Sequence, residues 1–557
     1  MASNSMTQFD PFTRDIIQQS VAAIGDEMFV VLKKTAMSAI IYEVLDMGTG
    51  VTTAEGELAA SGAGIPTFVA VFDKAVKRII ELHGWAGINE GDVFITNDPA
   101  FGGVTHLNDI AIIIPVFAGG TCVSWVGNFA HWNDIGGAER GSMSTRATEI
   151  YQEGLRLPAV KLFEGGRASE AVVAIMRANS RLPDFLEGDM WAGIAAARVG
   201  EKRIRELVDK YGRAAFLEAM DDLLDYGERQ TLAGLRDLPH GHFEHQERLD
   251  DGESWDIAID ITKDSFIVDL RAVPDQKDQP YNLSRDGAVI ACQMILKSAT
   301  SSGTLCNGGT LRPLNVLTRA GSIFDPFEGA PHGFYFETRI RLHDALWRCL
   351  APYLGERFPA GGFSSICGTV LGGTDPRNGR YFTMVEPQVG GWGAASDRDG
   401  VSAQYSNVHG ETYTCPAEVR EVRYPLTVES VALNPEAGGH GKYRGGRGIC
   451  AVYRVHSSDA FLTVGYSRSV EPPWGMDHGD EGTLNYVEVE RVDGSVERYS
   501  FASAVPVADN EIVRIVTGCG AGWGSPRARS AEAIAGDMKN GQLSRDEARD
   551  IYGANTS

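Results

Sequence analysis

The chain has 557 residues, of which 43% are hydrophobic and 22% charged, enough apolar sequence for a globular protein of two or three lobes. Its formal net charge of −23 excludes nucleic acid and anionic membranes as expected partners, because clustered Lys and Arg bind phosphate. No segment is long and apolar enough to span a bilayer, and the residues after Met1 lack a signal-peptide pattern, so the cytoplasm is the expected compartment.

The first predicted element is a long helix. Residues 1–9 are predicted to be a disordered leader, and Asp10 followed by Pro11 then supplies a helix start. Apolar residues recur at helical spacing to about Ser38, which predicts an amphipathic helix packed on a core.

Two carboxylates interrupt the apolar residues that follow. Residues 40–48 are predicted to begin a strand, and this strand contains Glu43 and Asp46. A charged side chain that enters a core is costly unless it is paired or bound to a metal. Asp46 is therefore a candidate metal ligand, and Glu43 a candidate general base or a partner of the ligands. A plain salt bridge is the alternative for Asp46.

The densest group of metal-ligating residue types follows a predicted loop over residues 61–67 and a predicted helix over residues 68–84. Three short apolar runs read as strands, over residues 93–96, 110–117 and 121–130. His106 and Asp109 precede the second run, and His131 follows the third. If these two runs form a hairpin about residues 118–120, both imidazoles reach the same edge of the sheet.

Two imidazoles with carboxylates are a donor set that a divalent metal takes, with zinc, manganese and iron all compatible. A single histidine after a strand is more often a hydrogen-bonded structural residue, and this alternative weakens when His106, Asp109 and His131 are considered together. Asp134, close behind His131, is a further candidate catalytic carboxylate.

The remaining sequence defines the predicted lobes. Helical patterns dominate from residue 169 to 235, the character changes near Pro239, and strand patterns alternate with glycine-rich loops as far as residue 516. The eight cysteines form no Cys-x-x-Cys pair, so they are expected to be free thiols. No glycine loop matches a phosphate-binding motif, which predicts that this chain holds no nucleotide in a standard cradle.

The fold class is therefore predicted as α+β with several lobes. A mixed α/β metal-binding lobe should be followed by β-rich lobes and a short helical C-terminal tail. The predicted ranges are 10–238 for the metal-binding catalytic lobe, 239–430 for a mixed α/β middle lobe, 431–525 for a β-rich lobe and 526–557 for the tail.

Several motifs stand in order along almost the whole chain. They are Leu45-Asp46, Asn97-Asp98-Pro99, Thr105-His106-Leu107-Asn108-Asp109, Ala130-His131-Trp132-Asn133-Asp134-Ile135-Gly136-Gly137, Glu153-Gly154-Leu155-Arg156-Leu157-Pro158, Gly390-Gly391-Trp392-Gly393 and Tyr443-Arg444-Gly445-Gly446-Arg447-Gly448. Together they closely resemble the B subunit of the hydantoinase and 5-oxoprolinase family, which also contains large subunits of acetone and acetophenone carboxylases.

The resemblance implies a division of labour between two subunits. A separate A subunit with an actin-like ATPase fold would use ATP to phosphorylate the substrate, and this chain would complete the reaction at its metal. His106, Asp109 and His131 match the family's metal ligands, with Asp46 as an additional ligand or catalytic carboxylate. The implied function is hydrolysis of a lactam or hydantoin ring by metal-bound water, within a hetero-oligomer.

Two other functions stay open from the sequence. The chain could belong to an ATP-dependent ketone carboxylase, which would require bicarbonate and give a carboxylated product. It could also be a scaffold subunit whose site is vestigial. The sequence leaves open which cyclic amide or ketone is the substrate, because residues near Trp132 and Asn407 depart from the family pattern.

Overall fold

The computed structural model describes residues 10–304, 306–355, 357–410 and 412–554. The leader predicted for residues 1–9 lies outside the described residues. Within these ranges the helices are α1 Pro11–Thr35, α2 Ala39–Tyr42, α3 Pro66–His83, α4 Glu170–Asn179, α5 Pro183–Tyr211, α6 Arg213–Arg236, α7 Arg285–Thr300, α8 Gly308–Leu311, α9 Tyr335–Leu350, α10 Ala417–Arg423, α11 Ala531–Lys539 and α12 Arg545–Asp550.

A seven-stranded antiparallel sheet carries the first half of the chain. Its strands are β1 Met47–Thr53, β2 Leu58–Gly64, β3 Val93–Thr96, β4 Asp109–Ala118, β5 Thr121–His131, β6 Val160–Glu164 and β7 Arg167–Ala168. Their order across the sheet is β2-β1-β5-β4-β3-β6-β7. One face packs on α1 and α5, whose apolar stripes form a single core with it, and the other face packs on α3.

Three further sheets follow. Strands β8 Gly241–Arg248, β9 Ser254–Ile261, β10 Phe266–Asp269 and β11 Leu314–Leu317 form a four-stranded sheet that shares a core with α7 and α9. The other two sheets share a third core. Their strands are β12 Gly368–Asp375, β13 Arg380–Glu386, β14 Leu426–Leu433, β15 Ile449–Val455, β16 Ala460–Gly465, β17 Tyr486–Glu490, β18 Val496–Tyr499, β19 Phe501–Val507 and β20 Ile512–Val516, in the orders β13-β12-β16-β19 and β14-β15-β20-β17-β18.

The predicted hairpin is confirmed and fixes the register of the sheet. Strands β4 and β5 are joined by Gly119 and Gly120, whose positive φ angles of 60° and 76° suit a two-residue turn. The ladder shifts by one residue between Val116 and Phe117, and this shift pairs Asp109 with His131 at the far end, where an uninterrupted ladder would pair it with Ala130. The turn and the shift together therefore bring two of the predicted ligands face to face.

Two local predictions in the first lobe are wrong. Residues 40–48 do not begin a strand, because the chain forms the short helix α2, then turns through Leu45 with a φ of 64°, and enters β1 only at Met47. Residues 61–64 belong to β2 rather than to a loop. Their small side chains do not read as a strand, but α1 crosses β2 so closely that a Cβ on Gly62 would lie 2.4 Å from the Gly25 carbonyl oxygen.

The α+β fold class with several sheets and a short helical C-terminal region is confirmed. The limits of the four lobes stay predictions. The described cysteines are all free thiols, as expected. Within the described ranges, no helix is long and apolar enough to cross a membrane.

One buried carboxylate on α5 anchors the segment that leads to Asp46. Asp189 accepts hydrogen bonds from the backbone N–H groups of Met37, at 2.7 Å, and Ser38, at 3.1 Å, and from the Ser38 hydroxyl. These N–H groups lie between α1 and α2, where no helix ladder satisfies them. Asp189 therefore fixes the direction in which the chain leaves α1.

Replacing Asp189 with alanine should lower the free energy of unfolding by about 3 kcal/mol, because buried N–H donors would lose their acceptor. Guanidinium titration measures the loss. The control is Asp209→Ala, an exposed position on the same helix, which should leave stability nearly unchanged. Equal stability of the two variants would contradict an anchoring role for Asp189.

Candidate metal centre

Three of the predicted metal ligands converge in space. His106, Asp109 and His131 each offer a ligand atom, and these atoms all lie within 4.8 Å of one another. All three side chains are buried. In the described part of the chain they are the one group of three or more His, Cys, Asp and Glu residues with this arrangement.

The loop before β4 is held by the side chain of Asn97. Its amide nitrogen donates to the carbonyl oxygens of Leu107 at 2.7 Å and Leu155 at 2.8 Å, and its amide oxygen accepts from the N–H of Leu157 at 2.7 Å. These bonds tie the two ends of the loop to the neighbouring segment. His106 is consequently carried on a fixed backbone beside the first residue of β4 rather than on a free loop.

The hydrogen bond of His106 defines which ring nitrogen is free for a metal. Nδ1 lies 3.1 Å from the carbonyl oxygen of Gly333 and donates to it, because a carbonyl can only accept. The other nitrogen, Nε2, is then unprotonated in the neutral ring and faces Asp109 Oδ1 at 3.1 Å. This orientation is typical of histidines that ligate metals.

Glu153 binds the peptide segment to which His106 donates its hydrogen bond. Its buried carboxylate accepts from the backbone N–H of Gly333 at 2.6 Å and from that of His332 at 2.9 Å. It thereby holds the peptide segment whose carbonyl accepts from His106. Glu153 is therefore a positioning residue for the histidine.

Asp109 and His131 carry buried polar atoms without protein partners. Asp109 Oδ2 accepts from the hydroxyls of Thr105 and of Tyr335, the latter at 3.1 Å. Asp109 Oδ1 and His131 Nδ1 make no hydrogen bond to any described residue. Because buried polar atoms are rarely left unpaired, these atoms with His106 Nε2 fit a divalent cation.

The local electrostatics favour the metal-binding protonation states of His131 and Asp109, whereas the pKa of His106 is raised, because Asp109 outweighs the opposing effect of burial. Burial, with the neighbouring His106 ring, lowers the pKa of His131 to about 4, so this imidazole is neutral near pH 7. Burial opposes ionisation of Asp109, but the two histidines and Thr105 hold its pKa below the ordinary value. A neutral imidazole beside an ionised carboxylate is the state that a cation requires.

The site opens onto a mainly apolar cavity of about 50 Å³. Polar side chains of Asp46, Tyr335, Arg339 and His409 line it together with the three ligands. Its apolar wall consists of Ile65, Phe68, Met143, Phe336, Ile366, Val370 and Val385. Much of this wall lies beyond residue 238, so the site draws on more of the chain than the predicted catalytic lobe.

The other predicted site residues are not part of the close group. Asp46 lines the cavity but falls outside the set of mutually close ligand atoms. Glu43, at the end of α2, is half-buried and does not line the cavity. The carboxylate of Asp134 binds Arg181 Nη1 at 2.8 Å and the N–H groups of Gly136 and Arg181. Both of its oxygens are occupied by these bonds, and the catalytic role of Asp134 stays a prediction.

Sequence reasoning did not single out the residues that complete the cavity from the later part of the chain. Tyr335 and Arg339 lie on α9, where nearly every residue from Tyr335 to Leu346 is buried despite several charges. Charged residues on a helix with no exposed face are a signal that could have found them. His409 lies near Asn407, where the sequence departs from the family pattern, and Glu153 lies in the motif of residues 153–158, but neither position alone predicts a role at this cavity.

The chain is similar to two named proteins of Pseudomonas over nearly its full length. It is 30% identical to the beta subunit of the caprolactamase of Pseudomonas jessenii, covering 98% of this chain and 96% of that one. It is 28% identical to the B subunit of a putative D-/L-hydantoinase of a Pseudomonas species, covering 98% and 95%.

Solved structures agree. The ATP-dependent caprolactamase of Pseudomonas jessenii superposes with a TM-score of 0.91 at 27% identity, covering 99% of this chain and 97% of that one. A nucleotide-free acetone carboxylase shares the fold, with a TM-score of 0.90 at 19% identity, covering 99% and 80%. The family model for Hydantoinase B/oxoprolinase matches residues 10–526. The resemblance predicted from the sequence motifs is thus confirmed, and the chain belongs to the hydantoinase B/oxoprolinase family.

Proposed function

We propose that this chain is the metal-binding component of an ATP-dependent amidase that opens a lactam or hydantoin ring. The observation that carries the proposal is the convergence of His106, Asp109 and His131 at the wall of an apolar cavity. The names of the relatives, a caprolactamase and a hydantoinase, support a cyclic amide as the substrate class.

The cavity suits a ring of methylenes that carries an amide. Phe68, Phe336 and the aliphatic wall offer contact to ring methylenes, and the three ligands with the other polar residues of the lining offer contact to polar groups. A divalent cation held there would make a bound water more acidic and stabilise negative charge on the amide oxygen. The protein residues would orient the amide group toward this side and exclude bulk water.

Asp46 is proposed to handle the proton of the reaction. Its side chain lines the cavity, and burial, with the nearby charge of Asp109, raises the pKa of this carboxyl well above its ordinary value. A bound cation would offset the charge of Asp109, which leaves burial as the cause of this shift, and a carboxyl at the wall of the cavity can donate a proton to the amide nitrogen as the ring opens. This role replaces the general-base role expected for Glu43.

The ATP-dependent step is proposed to take place in a partner chain. The two Pseudomonas relatives are named as the B and the beta component of their enzymes, which supports a hetero-oligomer with a second chain. The sequence motifs include no nucleotide cradle in this chain. An A subunit with an actin-like fold completes the proposal: it transfers a phosphoryl group from ATP to the amide oxygen and releases ADP. Hydrolysis of the activated ring then releases inorganic phosphate, so that the cyclic amide, ATP and two waters give the open-chain product, ADP and phosphate.

His106→Ala and His131→Ala should each reduce bound metal from about one ion per chain to nearly none, because two protein ligands hold a divalent cation poorly. Elemental analysis of the purified chain measures this loss. Ring opening with the partner chain present, assayed with and without bicarbonate, should be lost in both variants.

The matched control is His242→Ala, an exposed histidine paired with Asp260 and Glu244 on a strand surface. It should keep metal and activity. Ring opening that persists in both His106→Ala and His131→Ala would contradict the amidase proposal. A strict requirement for bicarbonate with a carboxylated product would instead support a ketone carboxylase.

Asp46→Asn should keep the metal but reduce the rate of ring opening by about 10²-fold or more, because the asparagine side chain cannot donate a proton to the substrate nitrogen. Metal content and turnover of the same preparation separate the two effects. If the asparagine variant instead loses its metal, Asp46 is a fourth ligand and not the proton donor.

Glu153 should give the metal-free chain a stability that falls as pH rises. Burial raises its pKa to about 7 from an ordinary 4.5, so the folded chain holds this proton at pH values where the unfolded chain has lost it. The contribution is complete below the unfolded pKa and disappears as pH rises through about 7.

Glu153→Gln, which cannot ionise, should flatten this decline in Tm, measured from about pH 4.5 to about pH 8. The decline should not vanish, because burial also raises the pKa of Glu337 to about 6. A variant with the same pH dependence as the wild type would refute the assignment.

A further inference from the structure

Arg339 is a buried arginine without a carboxylate partner among the described residues. The described buried arginines are Arg339, Arg341, Arg420, Arg468 and Arg529, and every one except Arg339 lies within salt-bridge distance of an Asp or Glu. Arg339 Nη1 donates only weakly, to the Val408 carbonyl oxygen at 3.4 Å and the Met294 sulfur at 4.0 Å. Its Nε has no partner in the described part of the chain.

This arrangement is costly for the folded chain. Arg339 is only 1% exposed, and a buried cation without a paired anion loses its hydration with little compensation. The cost is visible in the lowered pKa of the guanidinium, for which burial is the main cause. A group that weakens the fold while lining a cavity is expected to act on what the cavity holds.

His409 supplies a second unpartnered group at the same place. It follows Val408, lines the cavity with Arg339, and neither of its ring nitrogens has a partner among the described residues. Burial, with the charge of Arg339, lowers its pKa to about 3, so the ring is neutral and offers one N–H donor and one acceptor. Arg339 and His409 therefore provide free donors in one cavity.

The charges that line the cavity favour an anion once a divalent cation is bound. Asp46 and Asp109 contribute at most two negative charges, and Glu386 is neutralised by Arg420, 2.6 Å away. A divalent cation would cancel both aspartates, which leaves the positive charge of Arg339 in an apolar surrounding. A guanidinium in such a place binds planar or tetrahedral oxyanions with two parallel N–H groups.

We propose that Arg339 and His409 form an oxyanion subsite beside the three metal ligands, which binds a phosphoryl or carboxylate group of the ligand. The proposal deepens the proposed function, because it places an anionic group on the molecule that enters the cavity. The metal ligands hold one end of that molecule, and the subsite fixes its orientation by the other.

The test uses the full chain loaded with Mn²⁺, with inorganic phosphate and acetate as separate probes. The paramagnetic ion shortens the relaxation times of nearby phosphate ³¹P and acetate ¹³C nuclei. A titration therefore reports both the affinity of the chain for the probe and the distance of the probe from the metal. The variants are Arg339→Met, Arg339→Lys and His409→Leu. The control is Arg348→Met, an arginine on the same helix that lies outside the cavity and contacts Glu247 and Trp474.

We expect Arg339→Met to retain Mn²⁺ but weaken binding of the probe by about tenfold or more, with a smaller loss in Arg339→Lys and in His409→Leu. Arg348→Met should bind as the wild type does. Binding of phosphate alone identifies a phosphoryl ligand, and binding of acetate alone a carboxylate ligand. Failure of the wild-type chain to bind either probe near its metal would overturn the proposal.

Thermal unfolding of the metal-free chain separates the subsite from a structural role. The subsite predicts that Arg339→Met has a Tm equal to or above that of the wild type, because a buried unpaired charge is removed. A large fall in Tm in both Arg339→Met and Arg339→Lys would assign the arginine to the fold instead. The two proposals can fail separately. If ring-opening activity is absent but the chain still binds the probe beside its metal, the amidase proposal fails and the subsite proposal is retained.

Discussion

The register between β4 and β5 is the constraint on which the site depends. Their two-residue turn and a one-residue shift between Val116 and Phe117 set the alignment of the ladder in which Asp109 faces His131 at the opposite end. Loss of that shift would turn the side chains of one strand to the other face, which would remove a ligand from the site and misplace the apolar side chains that pack on the helices of both faces. The apolar core therefore enforces the geometry of the metal ligands, because both depend on the same register.

Several buried polar atoms that line the cavity beside this hairpin lack hydrogen-bond partners. Asp109 Oδ1, His131 Nδ1, Arg339 Nε and both nitrogens of His409 lack partners in the described ranges, and all four residues line one cavity. Elsewhere in the described ranges, buried ions are paired, as in Asp134 with Arg181 and Arg468 with Glu247, although single atoms such as Gln293 Oε1 and His343 Nδ1 also lack partners. The site is distinguished by the convergence of several such atoms on one cavity.

The sequence alone predicts the part of the site whose residues are close to one another along the chain. The hairpin could be predicted because turn glycines and β-branched runs lie within a short segment, and it brings His106, Asp109 and His131 to one edge of the sheet. The one-residue shift between Val116 and Phe117, which pairs Asp109 with His131, could not be predicted. Asp134 and Glu43 could not be assigned, since their roles depend on Arg181 and on the turn at Leu45, which sequence spacing does not reveal. Arg339 and His409 reach the cavity only through packing of distant segments.

Those distant contacts also give the centre its rigidity. The ring of His106 is oriented by the carbonyl of Gly333, and the N–H of the same glycine is held by Glu153, so two segments far apart in sequence bind each other at this peptide. A displacement of the segment before α9 would rotate the imidazole and move Tyr335 away from Asp109 at the same time. Metal affinity and packing of α9 against the first sheet are therefore linked, and a partner that moved this helix would change both the ligand geometry and the position of Arg339.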